Sequence, residues 1–344
     1  MTDGSTHHTT PSVARSVPGR CDGKELTVGV DTSRAVKVSV VVCTYSPDAF
    51  DHFVDAANSV LAQTHADVEL VVVVDGDASL AERVRERYGS HDDVVVHCND
   101  RNRGLSESRN VGVELASGDV VAFMDDDAVA YPDWVARLVD LYDRHDAVAA
   151  GGRMAARWVA GKPSFLPGEF YWLVGVTHRG FPTEEREVRN TFGSNISFRR
   201  EVFEELGGFD TDLGRAGEGN LQGEETEFAA RMRQRYGTGV WYDPDAVVEH
   251  KVFDYRLSPQ WLLERAFWQG YSKRVMAEVL PETEDEGVDG EESAFLRFLL
   301  TESVPGRTTS LARSPSSEGA RQLCSLLVLT AAVGLGYGYA VVRR

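Results

Sequence analysis

A chain of 344 residues is long enough for one large domain or two ordinary ones with a sizeable apolar core. Its 54 acidic residues outnumber its 36 basic ones, and the net charge of −18 argues against non-specific binding to nucleic acid. Only five basic residues are lysines, so 31 are arginines (36 − 5), and this acidic, lysine-poor composition is typical of a salt-adapted, halophilic source. The four cysteines are widely spaced without a CxxC pair, which indicates reduced thiols in a cytosolic protein.

The first 36 residues are rich in Ser, Thr, Gly, Pro and His, and they show little apolar periodicity. This composition predicts a disordered tail over residues 1–36. The segment contains no apolar run typical of a signal sequence. Ordered structure is expected to begin at Lys37.

Strands and helices are predicted to alternate from Lys37 to about residue 150. Apolar runs at 38–43, 68–74, 94–98 and 120–124 indicate strands that are buried on both faces, as parallel strands covered by helices are. Ser79 and Glu82 form a candidate capping box for the second intervening helix, and Ser106 is the predicted N-cap of the third. The alternation predicts an α/β fold with a doubly wound, mostly parallel sheet.

Three polar segments come directly after strands of this sheet. Thr44-Tyr45 follows the first strand, Asp75-Gly76-Asp77 the second and Asp125-Asp126-Asp127 the fourth. Because ligands of open α/β sheets bind outside the carboxyl ends of the strands, these segments are expected to share one edge. Three adjacent carboxylates repel one another, and a divalent cation with oxygen ligands would compensate them. A solvated acidic turn is the alternative for the triplet, but it explains less well why three polar segments share an edge.

The second half of the chain, from about Gly151, is more mixed and rich in aromatic residues. A short strand is predicted at Val247–His250, which places His250 at its end. Ser258-Pro259 begins a predicted amphipathic helix. The segment Glu282–Glu292 is expected to be a solvated acidic loop.

Residues 323–342 carry no charge over 20 positions, which at a rise of about 1.5 Å per residue matches the roughly 30 Å thickness of a bilayer core. Arginines flank this segment on both sides. We therefore predict a transmembrane or membrane-associated helix, with a buried core helix as the alternative. Gly334 and Gly338 have the GxxxG spacing that can join helices, so this segment is also a candidate for holding an oligomer together.

The order and spacing of several short motifs resemble glycosyltransferase family 2 enzymes with the GT-A fold. The similarity extends from about Lys37 to Tyr271. The motifs are Val38–Tyr45, Asp75-Gly76-Asp77, Gly104–Asn110, Met124–Asp127, Gly193–Arg200, Gly207–Asp210, Gly223–Phe228 and Val248-Glu249-His250.

This resemblance implies a GT-A catalytic domain over 37–275, with a nucleotide-binding half at 37–150 and an acceptor half at 151–275. An acidic linker at 276–322 would then lead to the apolar helix at 323–342. The resemblance also implies a nucleotide-sugar donor. Such a donor leaves as a diphosphate, whose charge is neutralised by Mn²⁺ or Mg²⁺.

The metal-binding residues implied by the family pattern are Asp125 and Asp127, which would also contact the ribose and diphosphate. Asp126 is a weaker candidate for donor binding. His250 matches the family's later contact with the diphosphate or metal, although a satisfied histidine at a strand end is the alternative.

The nucleobase side of the donor pocket is implied by other motif positions. Asp75 matches the residue that hydrogen-bonds the base, and Thr44 and Tyr45 would line the same pocket. Arg109 would lie near the base or diphosphate, with a surface ion pair as the alternative.

The catalytic base implied by the resemblance is Glu225, since Glu224-Glu225 stands where the family has Glu-Asp. The second residue is one methylene longer here, so Glu224 remains an alternative. A carboxylate that takes the acceptor's proton contributes typically about 10²–10⁴-fold to the rate. Asn195 and Arg199 would shape the donor-sugar and acceptor site.

Within the family, the pattern is most similar to membrane-associated archaeal enzymes that extend dolichyl-phosphate-linked sugars for protein N-glycosylation; the aromatic segment 170–180 contributes to this similarity. It implies inverting transfer of glucuronic acid from UDP-glucuronate to a dolichyl-phosphate-linked sugar at the cytoplasmic face of the cell membrane. The alternatives are a dolichyl-phosphate hexose synthase, another family 2 transferase with a different donor, or a non-catalytic sugar-nucleotide-binding module. An α/β dehydrogenase is disfavoured because no glycine follows the first strand directly.

Overall fold

The computed structural model describes residues 36–213, 223–279 and 288–343, except for the side chains of residues 279 and 288–292. Its strands are β1 (Val38–Thr44), β2 (Val68–Val74), β3 (Val94–Cys98), β4 (Val120–Asp125), β5 (Ala128–Ala130), β6 (Ala149–Trp158), β7 (Arg186–Val188), β8 (Ile196–Arg199) and β9 (Val240–Val252). Its α-helices are α1 (Phe50–Leu61), α2 (Ala78–Tyr88), α3 (Leu105–Leu115), α4 (Trp134–His145), α5 (Arg200–Leu206), α6 (Glu224–Tyr236), α7 (Pro259–Val279), α8 (Val288–Phe298), α9 (Val304–Arg313) and α10 (Ser317–Arg343). Apart from its last residue, the predicted disordered tail at 1–36 lies outside the described residues.

The strands form one mixed sheet in the order β3-β2-β1-β4-β8-β6-β9-β5, with β7 paired to β9. β1 to β4 pair in parallel, β8 runs antiparallel to β4, and six of the nine described strands (β1–β4, β6 and β9) share one direction. β1 and β2 are mostly valine, whose branched side chain packs well on a pleated surface. The predicted α/β sheet with mostly parallel strands is confirmed.

Apolar cores lie on both faces of the sheet, as a doubly wound fold requires. One core packs α1, α2 and α4 against the strands around Phe53, Leu80 and Trp134. The other packs α5 and α6 around Phe198 and Phe228. The carboxyl ends of β1, β2 and β4 are left uncovered by either core.

Two helix starts differ from the sequence prediction. Asp77 caps α2 by accepting the Leu80 N–H at 2.8 Å, and the Ser79 hydroxyl donates to the same carboxylate, so the predicted Ser79–Glu82 capping box is wrong. The predicted cap at Ser106 is also wrong. α3 begins at Leu105, two residues earlier than a cap at Ser106 would place it, and its N-cap is Gly104, whose φ of 90° turns the chain into the helix.

β9 is much longer than the predicted strand Val247–His250 because it has partners on both sides. It pairs with β6 on one side and with β5 and β7 on the other. Pro244 lies inside it, and the pairing with β6 shifts register between Gly152 and Arg153. That irregularity accommodates a proline, which has no N–H to donate, within a sheet.

α10 lies against α7 along small residues. A Cβ on Gly336 would lie 1.8 Å from the Phe267 carbonyl oxygen, and one on Gly270 would lie 2.0 Å from that of Val333. Gly334 and Gly338, the predicted GxxxG pair, have nothing within 4 Å of a built Cβ and so do not make this contact. Within the described part of the chain, α10 is the one helix long and apolar enough to cross a membrane.

The predicted acidic linker at 276–322 is largely helical where the structure describes it. α8, a π-helical turn at Leu299–Ser303 and α9 occupy most of it, and part of the predicted acidic loop at 282–292 belongs to α8. Residues 280–287 lie outside the described residues.

A buried carboxylate fastens these helices to the domain. Glu169, which is 0% exposed, accepts hydrogen bonds from Arg307 Nε at 3.0 Å, from Arg307 Nη2 at 2.6 Å and from the Ser303 hydroxyl. Burial alone would raise the pKa of Glu169, but these hydrogen bonds outweigh burial and hold it below the ordinary value. The segment is therefore part of the packed structure.

Candidate active site

A cleft of about 2040 Å³ lies over the carboxyl ends of β1, β2 and β4. Its walls include all three predicted polar segments, through Thr44 and Tyr45, Asp75, and the triplet Asp125–Asp127. The prediction that these segments share one edge is therefore confirmed. The start of α6 and one face of α7 also line this cleft.

The acidic triplet acquires a histidine through strand pairing. β5 follows the triplet and pairs with β9, with Ala128 opposite His250. His250 Nδ1 consequently lies 3.4 Å from Asp127 Oδ1, and one ligand atom from each of Asp125, Asp127 and His250 falls within 4.8 Å of the others. Two carboxylates and an imidazole suit Mn²⁺ or Mg²⁺, so the residues present fit a divalent cation.

Asp126, the middle carboxylate, is not part of this cluster. Burial raises the pKa of Asp126 to about 7, against an opposing effect of the Thr44 hydroxyl, and the charges of Asp127 and Asp125 raise it further. Asp126 nevertheless lines the cleft, so its predicted contact with the donor remains a prediction.

Arg256 is a site residue that the sequence reasoning missed. It donates from Nη2 to Asp127 Oδ2 at 3.0 Å and forms a hydrogen bond from Nη1 to His250 Nε2. Burial would lower the pKa of Arg256, but Asp127, Tyr255 and Asp125 together outweigh burial and hold the pKa above its ordinary value. In the sequence Arg256 is only an arginine six residues after His250, without a spacing that marks a site.

Arg109 links separate segments of the cleft lining. Its Nη2 lies 3.1 Å from Asp125 Oδ1, its Nη1 lies 3.0 Å from Glu224 Oε1, and Nη2 also donates to the Gly193 carbonyl at 3.1 Å. Arg109 is only 4% exposed, so the alternative of a surface ion pair is wrong. A planar guanidinium with several donors suits such a bridge, because it can bind two carboxylates in fixed directions.

The two glutamates at the start of α6 have different surroundings. Glu224 is buried and engaged with Arg109, whereas Glu225 lines the cleft and makes no ion pair with any residue that the structure describes. Burial raises the pKa of Glu225 to about 7, and the charge of Glu224 raises it too, while Arg109 opposes both. A carboxylate poised near neutrality at the cleft wall can accept a proton.

Asp75 organises the loop between β3 and α3, which borders the cleft. Its carboxylate accepts hydrogen bonds from Asn99 Nδ2 at 2.8 Å, from the Arg103 N–H at 2.8 Å and from the Gly104 N–H at 2.9 Å. Gly76, at a φ of +84°, allows the close approach of this loop, since a Cβ there would lie 2.2 Å from Asn102 N. Asp75 still lines the cleft, so its predicted contact with a base remains a prediction. Thr44 beside it is 1% exposed, whereas Tyr45 is 65% exposed at the rim.

Asn195 does not face the cleft, which corrects its predicted contact with the donor. It is 0% exposed, its side-chain oxygen accepts the Trp134 indole N–H at 2.8 Å, and its amide nitrogen donates to the carbonyls of Arg153 and Ala246. These bonds hold α4, β6 and β9 together beneath the site. Arg199 is also directed elsewhere, since it donates to the Ala147 carbonyl at 2.8 Å.

Comparisons with known proteins agree with this geometry. The family model "Glycosyl transferase family 2" matches residues 39–207. The chain is 50% identical over 305 residues to the glucosyl-dolichyl phosphate glucuronosyltransferase of Haloferax volcanii, covering 88% of this chain and 96% of the relative. It is 29% identical over 254 residues to the succinoglycan biosynthesis protein ExoM of Rhizobium meliloti, covering 72% and 77%.

Among solved structures, the chain is similar to the mannosyltransferase PcManGT from Pyrobaculum calidifontis, which was solved in complex with GDP-Man and Mn²⁺. The TM-score is 0.58 at 17% sequence identity, with 90% of this chain and 88% of the other covered. This likeness bears on the fold alone. Together with the family match, it confirms the predicted GT-A fold.

Proposed function

The chain belongs to glycosyltransferase family 2 and is a glycosyltransferase, and from that premise we propose that it transfers a sugar, with inversion, from a nucleotide-diphosphate donor to a dolichyl-phosphate-linked acceptor. One observation carries the proposal. A cluster able to hold a divalent cation and Glu225, whose pKa is raised, line the same cleft, and Arg109 bonds both to Asp125 of the cluster and to Glu224 beside Glu225. Departure of the diphosphate needs a cation to neutralise its charge, and activation of the acceptor needs a carboxylate to take its proton.

The leaving diphosphate would be handled by the β4–β9 wall. Asp125, Asp127 and His250 would hold Mn²⁺ or Mg²⁺, which when bound supplies Lewis-acid neutralisation of the diphosphate charge. Arg256 adds a fixed positive charge beside Asp127 and can donate to a phosphate oxygen from the same place. Asp75 fixes the loop that would border the base.

The acceptor would be activated by Glu225. Its carboxylate accepts the proton of the attacking hydroxyl as that oxygen bonds to the anomeric carbon on the face opposite the leaving group. Glu224 cannot serve as easily, because its carboxylate is committed to Arg109. We therefore assign Glu225 as the base and Glu224 as a positioning residue.

The donor and acceptor identities rest on the relative from Haloferax volcanii, whose name states glucosyl-dolichyl phosphate and glucuronosyl transfer. We propose UDP-glucuronate as donor and a glucosylated dolichyl phosphate as acceptor. α10 is long and apolar enough to bring the enzyme to a membrane, where such an acceptor resides. We place the catalytic domain on the cytoplasmic face, where nucleotide sugars are made.

A product analysis tests the proposal. The purified chain is incubated with a panel of UDP- and GDP-sugars and either phytanyl phosphate or phytanyl-phosphate-linked glucose, with Mn²⁺, with Mg²⁺ or with a chelator, and products are weighed. We expect a gain of one glucuronic acid on the glucosylated lipid, only with cation present. Transfer to the unglucosylated lipid would instead identify a hexose synthase, and tight donor binding without any turnover would identify a binding module.

A further inference from the structure

Two helices, α7 and α10, line part of the cleft, and we call the part that they line the outer arm. α7 lines it with one face, on which residues recur three or four positions apart: Trp261, Glu264, Arg265, Trp268, Gln269, Ser272, Lys273 and Met276. α10 lines it with Thr330, Val333, Gly334 and Tyr337, again at helical spacing. The arm is thus part of the active-site cleft.

The α7 side of the arm carries two cations, Arg265 and Lys273, and one carboxylate, Glu264, although the chain as a whole has a net charge of −18. Arg265 and Lys273 stand two turns apart on the cleft-lining face, and Lys273 is one of only five lysines. The Lys273 ammonium lies 5.4 Å from the centre of the Trp172 ring. This arrangement favours an anion in the arm.

Two buried hydrogen-bond donors in the arm have no partner among the described residues. They are the Ser272 hydroxyl, on a residue only 3% exposed, and the Trp172 indole N–H. Both residues line the cleft. Because a buried donor without an acceptor costs about 1–3 kcal/mol, the pair points to a ligand that supplies oxygen atoms.

Apolar side chains that pack in one cluster with residues of α7 and α10 also line the cleft. They are Phe170 and Leu173 in the 3-10 helix at Gly168–Val174, Phe298 at the end of α8, and Val333 in α10. A ligand with an anionic head and a long apolar tail fits this division, and α10 itself has the length and composition of a membrane span.

We propose that this arm binds the lipid half of the acceptor, with the phosphate at Lys273, Ser272 and Trp172 and the first prenyl units between α10 and the 3-10 helix. The assignment rests on the proposed transfer to a lipid-phosphate-linked sugar. It places the sugar toward Glu225 and the tail toward the membrane helix. Lys273 is accordingly a specificity-determining residue for the phosphate.

Acceptor kinetics test the proposal with two probes that share glucose and an apolar tail: phytanyl-phosphate-linked glucose, and octyl glucoside, which lacks the phosphate. Lys273→Met should raise KM for the phosphate-bearing acceptor about tenfold to a hundredfold, as for one lost charged hydrogen bond. The kcat, the donor KM and the KM for octyl glucoside should not change. Ser272→Ala should shift the same KM by a smaller factor.

The matched control is Arg274→Met, which removes the same charge from the adjacent position. Arg274 is not part of the cleft wall and pairs with Glu278 at 2.8 Å. The assignment would be overturned if Lys273→Met and Arg274→Met had equal KM values for the phosphate-bearing acceptor. It would also be overturned if Lys273→Met raised the KM equally for both acceptors.

Direct binding separates this inference from the proposed function. Phytanyl monophosphate is titrated in detergent micelles against wild type and Lys273→Met, with tryptophan fluorescence as the readout. Lys273-dependent binding without any sugar transfer would uphold the site and reject the proposed reaction. If sugar transfer proceeds but Lys273→Met binds phytanyl monophosphate as tightly as the wild type, the lipid-phosphate site is rejected and the proposed reaction is not.

Discussion

Replacing Arg307 with methionine should loosen the C-terminal helices from the catalytic domain while the domain stays folded. Arg307 supplies two of the charged hydrogen bonds to Glu169, which is 0% exposed. After the replacement Glu169 keeps the Ser303 hydroxyl and Arg179, whose side chain is 63% exposed and 3.5 Å away. Leaving a buried charge without its main partner typically costs about 3–5 kcal/mol, and the remaining contacts place this case near the lower limit.

A cost of about 3 kcal/mol corresponds to roughly a hundredfold larger population of the detached state. Hydrogen–deuterium exchange in detergent measures it directly, because α9 and α10 should lose about that factor of protection while β1–β4 keep theirs. Arg313→Met is the matched control, since Arg313 lies exposed at the end of the same helix.

The pH dependence of exchange adds a second test. The pKa of Glu169 is held below its ordinary value, so its stabilising effect is complete above that ordinary value and is lost as the pH falls through the lowered one. Wild type should therefore lose protection of α9 and α10 in acid, and Arg307→Met should lack this acid sensitivity. Exchange in Arg307→Met equal to that in Arg313→Met would refute the reasoning.

Other changes have equally definite outcomes. Glu225→Gln should lower kcat by about 10²–10⁴-fold and leave the donor KM unchanged. In the wild type, kcat/KM should rise with pH and level off above about 7, because the pKa of Glu225 is raised to about 7 and only the ionised carboxylate accepts a proton. A flat pH profile would contradict this assignment. Asp127→Asn should weaken Mn²⁺ binding by at least tenfold in a calorimetric titration, and unchanged affinity would remove Asp127 from the cation site. Gly336→Ala should destabilise the packing of α7 against α10, since the new Cβ would lie 1.8 Å from the Phe267 carbonyl oxygen. Gly338→Ala adds its Cβ in open space and should stabilise α10 by roughly 1 kcal/mol. Thermal melts in detergent that shift equally for both variants would count against this packing.

The sheet and its polar edge were predictable because both depend on local pattern. The parallel strands β1–β4 are short apolar runs bounded by polar residues. The polar residues that follow each run therefore mark the carboxyl end of that strand. Asp75 and the acidic triplet were placed in this way, and the structure brings them to one cleft.

The contacts that complete the site were not predictable in the same way. Arg109 joins Glu224 across 115 residues and Arg256 joins Asp127 across 129, and no spacing in the sequence records such meetings. Asn195 stands in a motif of polar residues, yet its partners are the indole of Trp134 and two main-chain carbonyls, which only the packed structure supplies. The prediction of an acidic loop at 282–292 was wrong for the part that belongs to α8. Charge indicates exposure to water and says little about whether the backbone is helical.

The pairing of β5 with β9 also sets the order in which the enzyme matures during synthesis. The strands β1–β4 and their carboxylates can assemble from the first half of the chain, but His250 and Arg256 reach the triplet only after β9 has been made. At about 5–20 residues per second, the ribosome needs roughly 6–25 s to cover the 129 residues between Asp127 and Arg256. A nascent chain therefore holds its acidic triplet for seconds without the histidine and arginine that complete it.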